Sequence, residues 1–467
     1  MMKKIIALVL AVVMMMAMSV TAFADDPATL TDGEVGGSST FAQDNPKSQG
    51  KTVIIQKELT AYNVNETAIN APTITYSYAI TAGSAGIDVT DAQTDHGNAT
   101  AVSVKTKAGV TPDRVTLTGT NNNTIVWTPA ETLKAGTDGK ANYKNLTLNF
   151  SEVVFGAAGV YRYVITETPH TNATSYAATG VTETTSTTNP HVRYLDVYVR
   201  PATTGFSNGN TAAEWDIYGY VCMLESEEIT DAGDTKNTGA VKTNGFVAGT
   251  NDGTAYLADQ YYTFNVTVSK TVTNDEYAKA THSFPFTVIF TNDSVTQAVD
   301  IKSAVTGTAS DWTDPASGVM SNGSGDNSLI KGVVKIKDSS SVKYIGIPNG
   351  TSVEVYETND VAGVTYQVTT KIDGVEATPK DLAVVSGTAP STAVAQSSSK
   401  ADTESTKATI TTTANADDDT AHTIEIDNSL QLISPTGVVL RVAPYVLILA
   451  AGITLLLISR RRKAEEE

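Results

Sequence analysis

The sequence predicts an all-β protein built of antiparallel β-sandwiches. Apolar and polar residues alternate over short segments such as 73–80, 161–165 and 194–199, and polar turns separate them. Alternation is typical of half-buried strands, because successive strand side chains point to opposite faces. Thr, Ser, Asn, Val and Gly are abundant, which favours strands and loops. No segment indicates a long amphipathic helix.

The chain has 467 residues, a formal net charge of −18 and a single cysteine. One cysteine excludes a disulfide framework and a cysteine-based zinc site. Cys222 lies in an apolar run and is predicted to be a buried small hydrophobe. The acidic balance argues against nucleic-acid binding. The five histidines lack metal-ligand spacing and are predicted to be solvated loop residues, so no metal or cofactor is expected.

Residues 1–24 predict a cleaved secretory signal. Lys3 and Lys4 precede an apolar run, and Ala22-Phe23-Ala24 supplies small residues at the positions that a signal peptidase reads. The mature chain is then expected to begin with a flexible N-terminal segment, 25–50.

The other end of the chain carries a second apolar segment, 438–459, which is long enough to span a bilayer. The basic tail 460–467 would hold that end in the cytoplasm, so the body of the protein is expected outside the cell. The motif directly before the span is Ile433-Ser434-Pro435-Thr436-Gly437. Motif, span and tail together resemble the sorting signal of Gram-positive surface proteins, by which a sortase cleaves after Thr436 and joins its carbonyl to an amine. The alternative is an ordinary single-span anchor.

The body divides into two similar halves, 51–262 and 263–432. Each half begins with a strand that ends in Lys, continues with a strand of alternating large apolar residues, then a strand ending in Glu, and closes with a strand carrying a carboxyl or an amide. A low-complexity stretch, 386–420, is predicted to be a long mobile loop within the second half.

In each half, three polar residues continue an apolar row that faces the predicted core. They are Lys57, Glu167 and Asp259 in the first half, and Lys270, Glu357 and Asn428 in the second. Lys and Glu are almost never buried unless they are paired. Burial lowers the pKa of an amine and raises that of a carboxyl, so a neutral Lys could form an amide with the Asp or Asn while the Glu shuttles protons. A buried Lys–carboxylate salt bridge is the alternative that the residues alone leave open.

These features resemble the streptococcal T-antigen type of backbone pilin, with its pilin isopeptide linkage domains. The resemblance implies two tandem Ig-like (CnaB-like) domains, each with a self-formed Lys–Asn or Lys–Asp isopeptide bond assisted by Glu. Asp259 stands eleven residues before Lys270 and Asn428 seven before Pro435, as in that family. The first acceptor departs from the closest relatives, which have Asn there, so Asn244 is held as a second candidate.

The resemblance also implies a lysine that links one subunit to the next, for which Lys242 is narrowly favoured over Lys236. It implies a backbone subunit of a sortase-assembled, wall-anchored surface pilus and not an enzyme. The expected partners are pilus-specific and housekeeping sortases, identical pilin subunits, minor tip and base pilins, and peptidoglycan. The alternatives are a wall-anchored adhesin that binds a host protein or glycan without polymerising, and a secreted β-rich carbohydrate-active enzyme.

Overall fold

The structure is a computed structural model. It describes residues 51–86, 88–91, 102–169, 176–183, 191–201, 215–224, 243–251, 254–292, 294–310, 317–319, 330–357, 364, 366–376, 380–382, 408–411, 421–430, 448–451 and 453–454. Strands dominate these residues, which confirms the all-β prediction. The expected signal peptide and N-terminal segment lie outside the described residues.

Among the described residues, the first half of the body contributes seventeen strands and two short 3₁₀ helices, Pro112–Arg114 and Tyr176–Thr179. The strands are β1 (Thr52–Tyr62), β2 (Ala68–Asn70), β3 (Ile74–Ala82), β4 (Asp88–Asp91), β5 (Val102–Lys105), β6 (Lys107–Ala108), β7 (Thr116–Thr118), β8 (Thr124–Trp127), β9 (Thr132–Lys134), β10 (Lys140–Asn149), β11 (Gly159–Pro169), β12 (Val181–Thr182), β13 (Val192–Pro201), β14 (Trp215–Met223), β15 (Gly245–Phe246), β16 (Gly249–Asn251) and β17 (Thr254–Tyr256).

The described part of the second half contains an α-helix, α1 (Glu276–Thr281), which Asp275 caps by accepting a hydrogen bond from the backbone N–H of Ala278. Its strands are β18 (Asp259–Thr273), β19 (Ser283–Thr291), β20 (Ala298–Asp300), β21 (Lys302–Thr306), β22 (Ala309–Ser310), β23 (Ser317–Val319), β24 (Ile330–Lys337), β25 (Ser340–Pro348), β26 (Ser352–Glu357), β27 (Tyr366–Ile372), β28 (Val375–Glu376), β29 (Lys380–Leu382), β30 (Ala408–Thr411) and β31 (Ala421–Leu430).

Two hydrophobic cores lie between pairs of sheets. In the first, β1 and β10 pack against the sheet of order β14-β13-β11-β3-β8, around residues such as Leu59, Tyr163 and Trp127. In the second, β18, β25, β31 and β27 pack against the sheet of order β22-β24-β19-β26-β30, around residues such as Val268 and Phe286. Both are therefore sandwiches whose inner faces carry the apolar residues of the alternating strands.

Strand β18 belongs to both sandwiches. Its first residues run parallel to β1, and its later residues lie between β25 and β31. Asn265, within β18, exchanges hydrogen bonds with Asn63 through their buried side-chain amides, at 3.0 and 2.8 Å. The two similar halves of the sequence predict two separate strands here, one closing the first half and one opening the second. The structure has a single continuous strand instead.

The low-complexity stretch is not a single loop. Within it, β30 (Ala408–Thr411) pairs antiparallel with β26 and forms the edge of that sheet. The loop prediction is therefore wrong for these four residues. The rest of the stretch lies outside the described residues.

The C-terminal elements are only partly described. Residues 448–451 and 453–454 of the expected membrane span are helical, and none of the described helices is long and apolar enough to cross a membrane. The sorting motif 433–437 and the basic tail lie outside the described residues, as do Lys236 and Lys242. Strand β31 ends at Leu430, three residues before the motif.

Candidate functional site

The six predicted site residues come together as two buried clusters, one in each sandwich. In the parallel pair of β1 and β18, Asp259 lies opposite Leu59, two residues beyond Lys57. In the parallel pair of β18 and β31, Asn428 lies opposite Val272, two residues beyond Lys270. Lysine and acceptor therefore hold the same relative register in both sandwiches. Because side chains two residues apart share a face, each pair points into its own core.

The glutamate of each cluster comes from the facing sheet. Glu167 on β11 lies opposite Tyr78, and Glu357 on β26 lies opposite Phe286. All six side chains are almost fully buried. Each glutamate therefore meets a lysine across the core, between the two sheets.

In the first cluster, the Lys57 ammonium donates to both carboxylates. Its Nζ is 2.8 Å from Asp259 Oδ2 and 2.9 Å from Glu167 Oε1. The ring of Tyr76 lies beneath the ammonium, with its centroid 4.1 Å from Nζ, a cation–π contact. The Tyr78 hydroxyl donates to Glu167 Oε2 at 2.7 Å. Amine, acceptor and carboxylate are thus in mutual contact.

The candidate acceptor Asn244 has a different role in the fold. Its backbone carbonyl accepts from the backbone N–H of Gln56 at 2.8 Å, just before β15 pairs with β1. The hydrogen bonds of the Lys57 ammonium go to Asp259 and Glu167. The geometry therefore favours Asp259 as the partner of Lys57.

The second cluster contains one carboxylate instead of two. Lys270 Nζ is 3.4 Å from Glu357 Oε2 and donates to the carbonyl of Ile426 at 3.3 Å. The side-chain amide of Asn428 donates to Glu357 Oε1 at 2.5 Å. Among the described residues, the Asn428 carbonyl oxygen has no hydrogen-bond partner. The ring of Phe284 lies 4.7 Å from Nζ, where the first cluster has a tyrosine.

The two lysines differ in pKa because they meet different numbers of carboxylates. Burial lowers the pKa of Lys270 to about 8, which the charge of Glu357 only partly offsets. Burial also acts on Lys57, but the charges of Asp259 and Glu167 outweigh it and raise the pKa of that amine. The expectation of a lowered lysine pKa is therefore wrong for Lys57.

The pKa of Glu167 also moves opposite to the expected direction. Burial raises it, but the Lys57 charge and hydrogen bonds from His191, Lys57 and Tyr78 lower it to about 2. The first cluster is therefore an ion-paired site with a charged amine, whereas the second holds a lysine much closer to neutrality at physiological pH.

Three further residues at the first cluster were missed by sequence reasoning. His191 contacts Glu167, Tyr176 donates to Asp259 Oδ2 at 3.3 Å, and Glu183 contacts the far side of the imidazole. The prediction of a solvated loop histidine is thus wrong for His191, whereas the prediction of a buried Cys222 is confirmed. These residues lie beside strands and not in an alternating row, so no periodic signal marks them.

Comparison with solved structures finds similar chains at low sequence identity. The major pilin protein (T3.2) of Streptococcus pyogenes is 16% identical, with a TM-score of 0.33, over 82% of this chain and 99% of that one. Another major pilin structure from Streptococcus pyogenes is 15% identical, with a TM-score of 0.31, over 80% and 98%. A pilus-presented adhesin is 10% identical, with a TM-score of 0.20, over 80% and 98%. No protein-family model and no curated protein matches the chain.

Proposed function

We propose that the protein is the major, backbone subunit of a sortase-assembled Gram-positive surface pilus, stabilised by an intramolecular isopeptide bond in each sandwich. The observation that carries the proposal is a cluster that occurs in both cores. Each cluster contains a lysine amine, a glutamate carboxyl group and an Asp or Asn acceptor, and lysine and acceptor hold the same register in both. Buried ion pairs add little stability by themselves. Two matched clusters are better explained by a shared chemistry than by two independent salt bridges.

In the second sandwich, the reaction begins with neutral Lys270. Its Nζ attacks Cγ of Asn428, and Glu357, which already accepts from the Asn428 amide, relays protons to the departing nitrogen. The C–N bond to Lys270 forms, the C–N bond of the carboxamide breaks, and ammonia leaves. The reaction occurs once within each chain, so the protein is not an enzyme in the usual sense.

In the first sandwich, Lys57 must first be deprotonated because its pKa is raised. Glu167 Oε1 lies within hydrogen-bonding distance to accept that proton. The amine then attacks Cγ of Asp259, and one carboxylate oxygen leaves as water. The resulting amide would join β1 to β18, and its counterpart would join β18 to β31.

Assembly would use the sequence signals beyond the described residues. A pilus-specific sortase would join the Thr436 carbonyl to Lys242 or Lys236 of an identical subunit, and a housekeeping sortase would attach the finished polymer to peptidoglycan. Minor pilins would occupy tip and base, outside the cell. A wall-anchored monomeric adhesin would share the fold and the crosslinks, and would differ in lacking the lysine linkage.

The crosslinks are tested by the intact mass of the mature body, residues 25–436. The expected deficit is one water for the first bond and one ammonia for the second. Lys57→Met should remove only the water deficit and Lys270→Met only the ammonia deficit. An undiminished wild-type mass would refute the crosslinks.

Polymerisation is tested in the native host by the size of wall-extracted protein. A ladder of detergent-resistant multimers is expected, and Thr436→Ala should abolish it. Lys242→Ala and Lys236→Ala identify the linking lysine, with the exposed lysine variant Lys140→Ala as a matched control. A single band from the wild-type chain would favour the adhesin.

A further inference from the structure

His191 connects the buried carboxylate of the first cluster to the protein surface. Its Nδ1 lies 3.1 Å from Glu167 Oε1, and its Nε2 lies 2.7 Å from Glu183 Oε1. The His191 side chain is 21% exposed and that of Glu183 43% exposed, whereas Glu167 is 1% exposed. The imidazole stacks on the ring of Tyr176, with centroids 6.1 Å apart. A continuous chain of hydrogen bonds therefore leads from Lys57 to solvent.

The imidazole faces a carboxylate on each side. An ionised carboxylate only accepts hydrogen bonds, so an imidazolium that donates from both nitrogens satisfies both partners. The groups that face His191 are Glu167, Glu183 and the Tyr176 ring, with Lys57 beyond Glu167. The hydrogen bond to Glu167 raises the pKa of His191, against burial and the Lys57 charge, which lower it.

Charge counting separates the two clusters. Lys57, Glu167 and Asp259 in ionised form carry one uncompensated negative charge in a buried site, and a protonated His191 balances it. Lys270 and Glu357 balance each other, because the acceptor Asn428 is neutral. The extra cation thus occurs in the sandwich whose acceptor is a carboxylate. Without that cation, the buried cluster would hold an unpaired charge, which costs free energy.

We propose that His191 is a positioning residue that, with Glu183, relays protons between solvent and Glu167 during amide formation at Asp259. This inference rests on the proposed function. In the reaction, the bond between Lys57 Nζ and Asp259 Cγ forms and one C–O bond of the carboxylate breaks. The ammonium loses two protons, which depart with that oxygen as water. Glu167 carries them one at a time, and His191 holds Glu167 in place and exchanges its proton.

The relay predicts a pH dependence that is confined to the first bond. Loss of the proton from His191 removes both the counter-charge and the proton that the imidazole exchanges with Glu167. The rate of first-bond formation should therefore fall as the pH rises through a value above 6.5, the ordinary pKa of histidine. The contacts described for the second cluster join Lys270, Asn428 and Glu357 to one another and to the Ile426 carbonyl. The rate of second-bond formation should therefore not fall in this way.

The test uses the mature chain made by cell-free synthesis, stopped with a translation inhibitor and shifted to buffers between about pH 5 and 9, a range that spans histidine titration. Samples are quenched with acid over time, and the two crosslinked peptides are quantified after proteolysis. The variants are His191→Gln, which keeps a hydrogen-bonding side chain but cannot exchange a proton, and Glu183→Gln. His422→Gln is the matched control, since His422 contacts Asp373 away from both clusters.

We expect His191→Gln to slow formation of the Lys57–Asp259 bond about tenfold or more and to abolish the fall of its rate with rising pH. This effect is smaller than the roughly 10²–10⁴-fold typical of a direct general acid or base, because His191 acts through Glu167. Glu183→Gln should move the fall in first-bond rate to lower pH, because one of the two carboxylates that favour the imidazolium is lost. The Lys270–Asn428 bond, measured in the same molecules, reports correct folding and should keep its rate in all variants.

The outcomes distinguish the two proposals. If the wild-type chain forms the first bond and His191→Gln matches its rate and pH profile, the relay is refuted and the crosslink stands. If His191→Gln slows both bonds equally, the residue acts on folding and the relay is likewise refuted. If the wild-type chain forms no first bond at any pH, the proposed chemistry and the relay both fail.

Discussion

Replacing Glu167 by Gln should prevent the proposed first crosslink without unfolding the protein. Gln has nearly the same shape as Glu, but it cannot take up the Lys57 proton. The remaining Lys57–Asp259 pair is electrically balanced. His191 loses the hydrogen bond to a carboxylate that raises its pKa, so it can release its proton and leave the cluster without net charge. We therefore expect a folded protein whose mass lacks the deficit of one water.

The size of the effect follows from the loop that the bond closes. Lys57 and Asp259 are 202 residues apart. The chain-entropy expression for a covalent crosslink gives about 5 kcal/mol for a loop of this length. For a domain of this size, that loss corresponds to a decrease in Tm of roughly 10–20 °C. The decrease should affect the thermal transition of the first sandwich, with the second less affected.

Scanning calorimetry of the mature chain, combined with intact mass, measures this effect. The control is Tyr78→Phe, which removes one hydrogen bond to Glu167 and leaves the carboxylate in place. That change should cost about 1.5–3 kcal/mol, because the acceptor is an ionised carboxylate, and should keep the crosslink. If Glu167→Gln keeps the mass deficit, the proton-transfer role is wrong. If it loses the deficit but its Tm falls no further than that of Tyr78→Phe, the bond does not stabilise the fold.

Three further predictions concern other parts of the molecule. Asn428→Asp should change the second mass deficit from one ammonia to one water, measured on the intact protein. Asn265→Ala removes the buried amide exchange with Asn63, should cost about 1–3 kcal/mol, and should separate the thermal transitions of the two sandwiches. Finally, the raised pKa of His191 means that its stabilising contribution is complete below pH 6.5, its unfolded value, and is lost as pH rises through the folded value. The difference in Tm between wild type and His191→Gln should therefore shrink above pH 6.5.

The alternation of side chains along each strand is sufficient to predict which ionisable residues of the clusters are buried. Lys57 continues the row of Val53 and Ile55, and Glu357 continues that of Val353 and Val355, and all of these residues are buried. A period of two fixes the face of each side chain wherever a strand is regular. The apolar rows therefore predicted which ionisable groups enter the cores.

The electrostatics of the clusters could not be predicted in this way. The direction of the pKa shift of Lys57 depends on how many carboxylates approach it, and these come from β11 and β18, far away in sequence. His191 reaches Glu167 because it directly precedes β13, whose pairing with β11 brings the two together. Such contacts depend on sheet pairing, which single-strand patterns do not specify.

The continuous strand β18 explains why the two clusters occupy separate cores. Asp259 and Lys270 are eleven residues apart, an odd number, so strict alternation places their side chains on opposite faces of the strand. The odd-numbered Tyr261 accordingly packs in the first core, and the even-numbered Val266 and Val268 pack in the second. The irregularity in the pairing of β18 with β25 lies on the β25 side, at Gly346, which has a φ of 79°. Because β18 itself keeps its alternation, one strand supplies an acceptor to one sandwich and a lysine to the other, and a crosslink in each would join β1, β18 and β31.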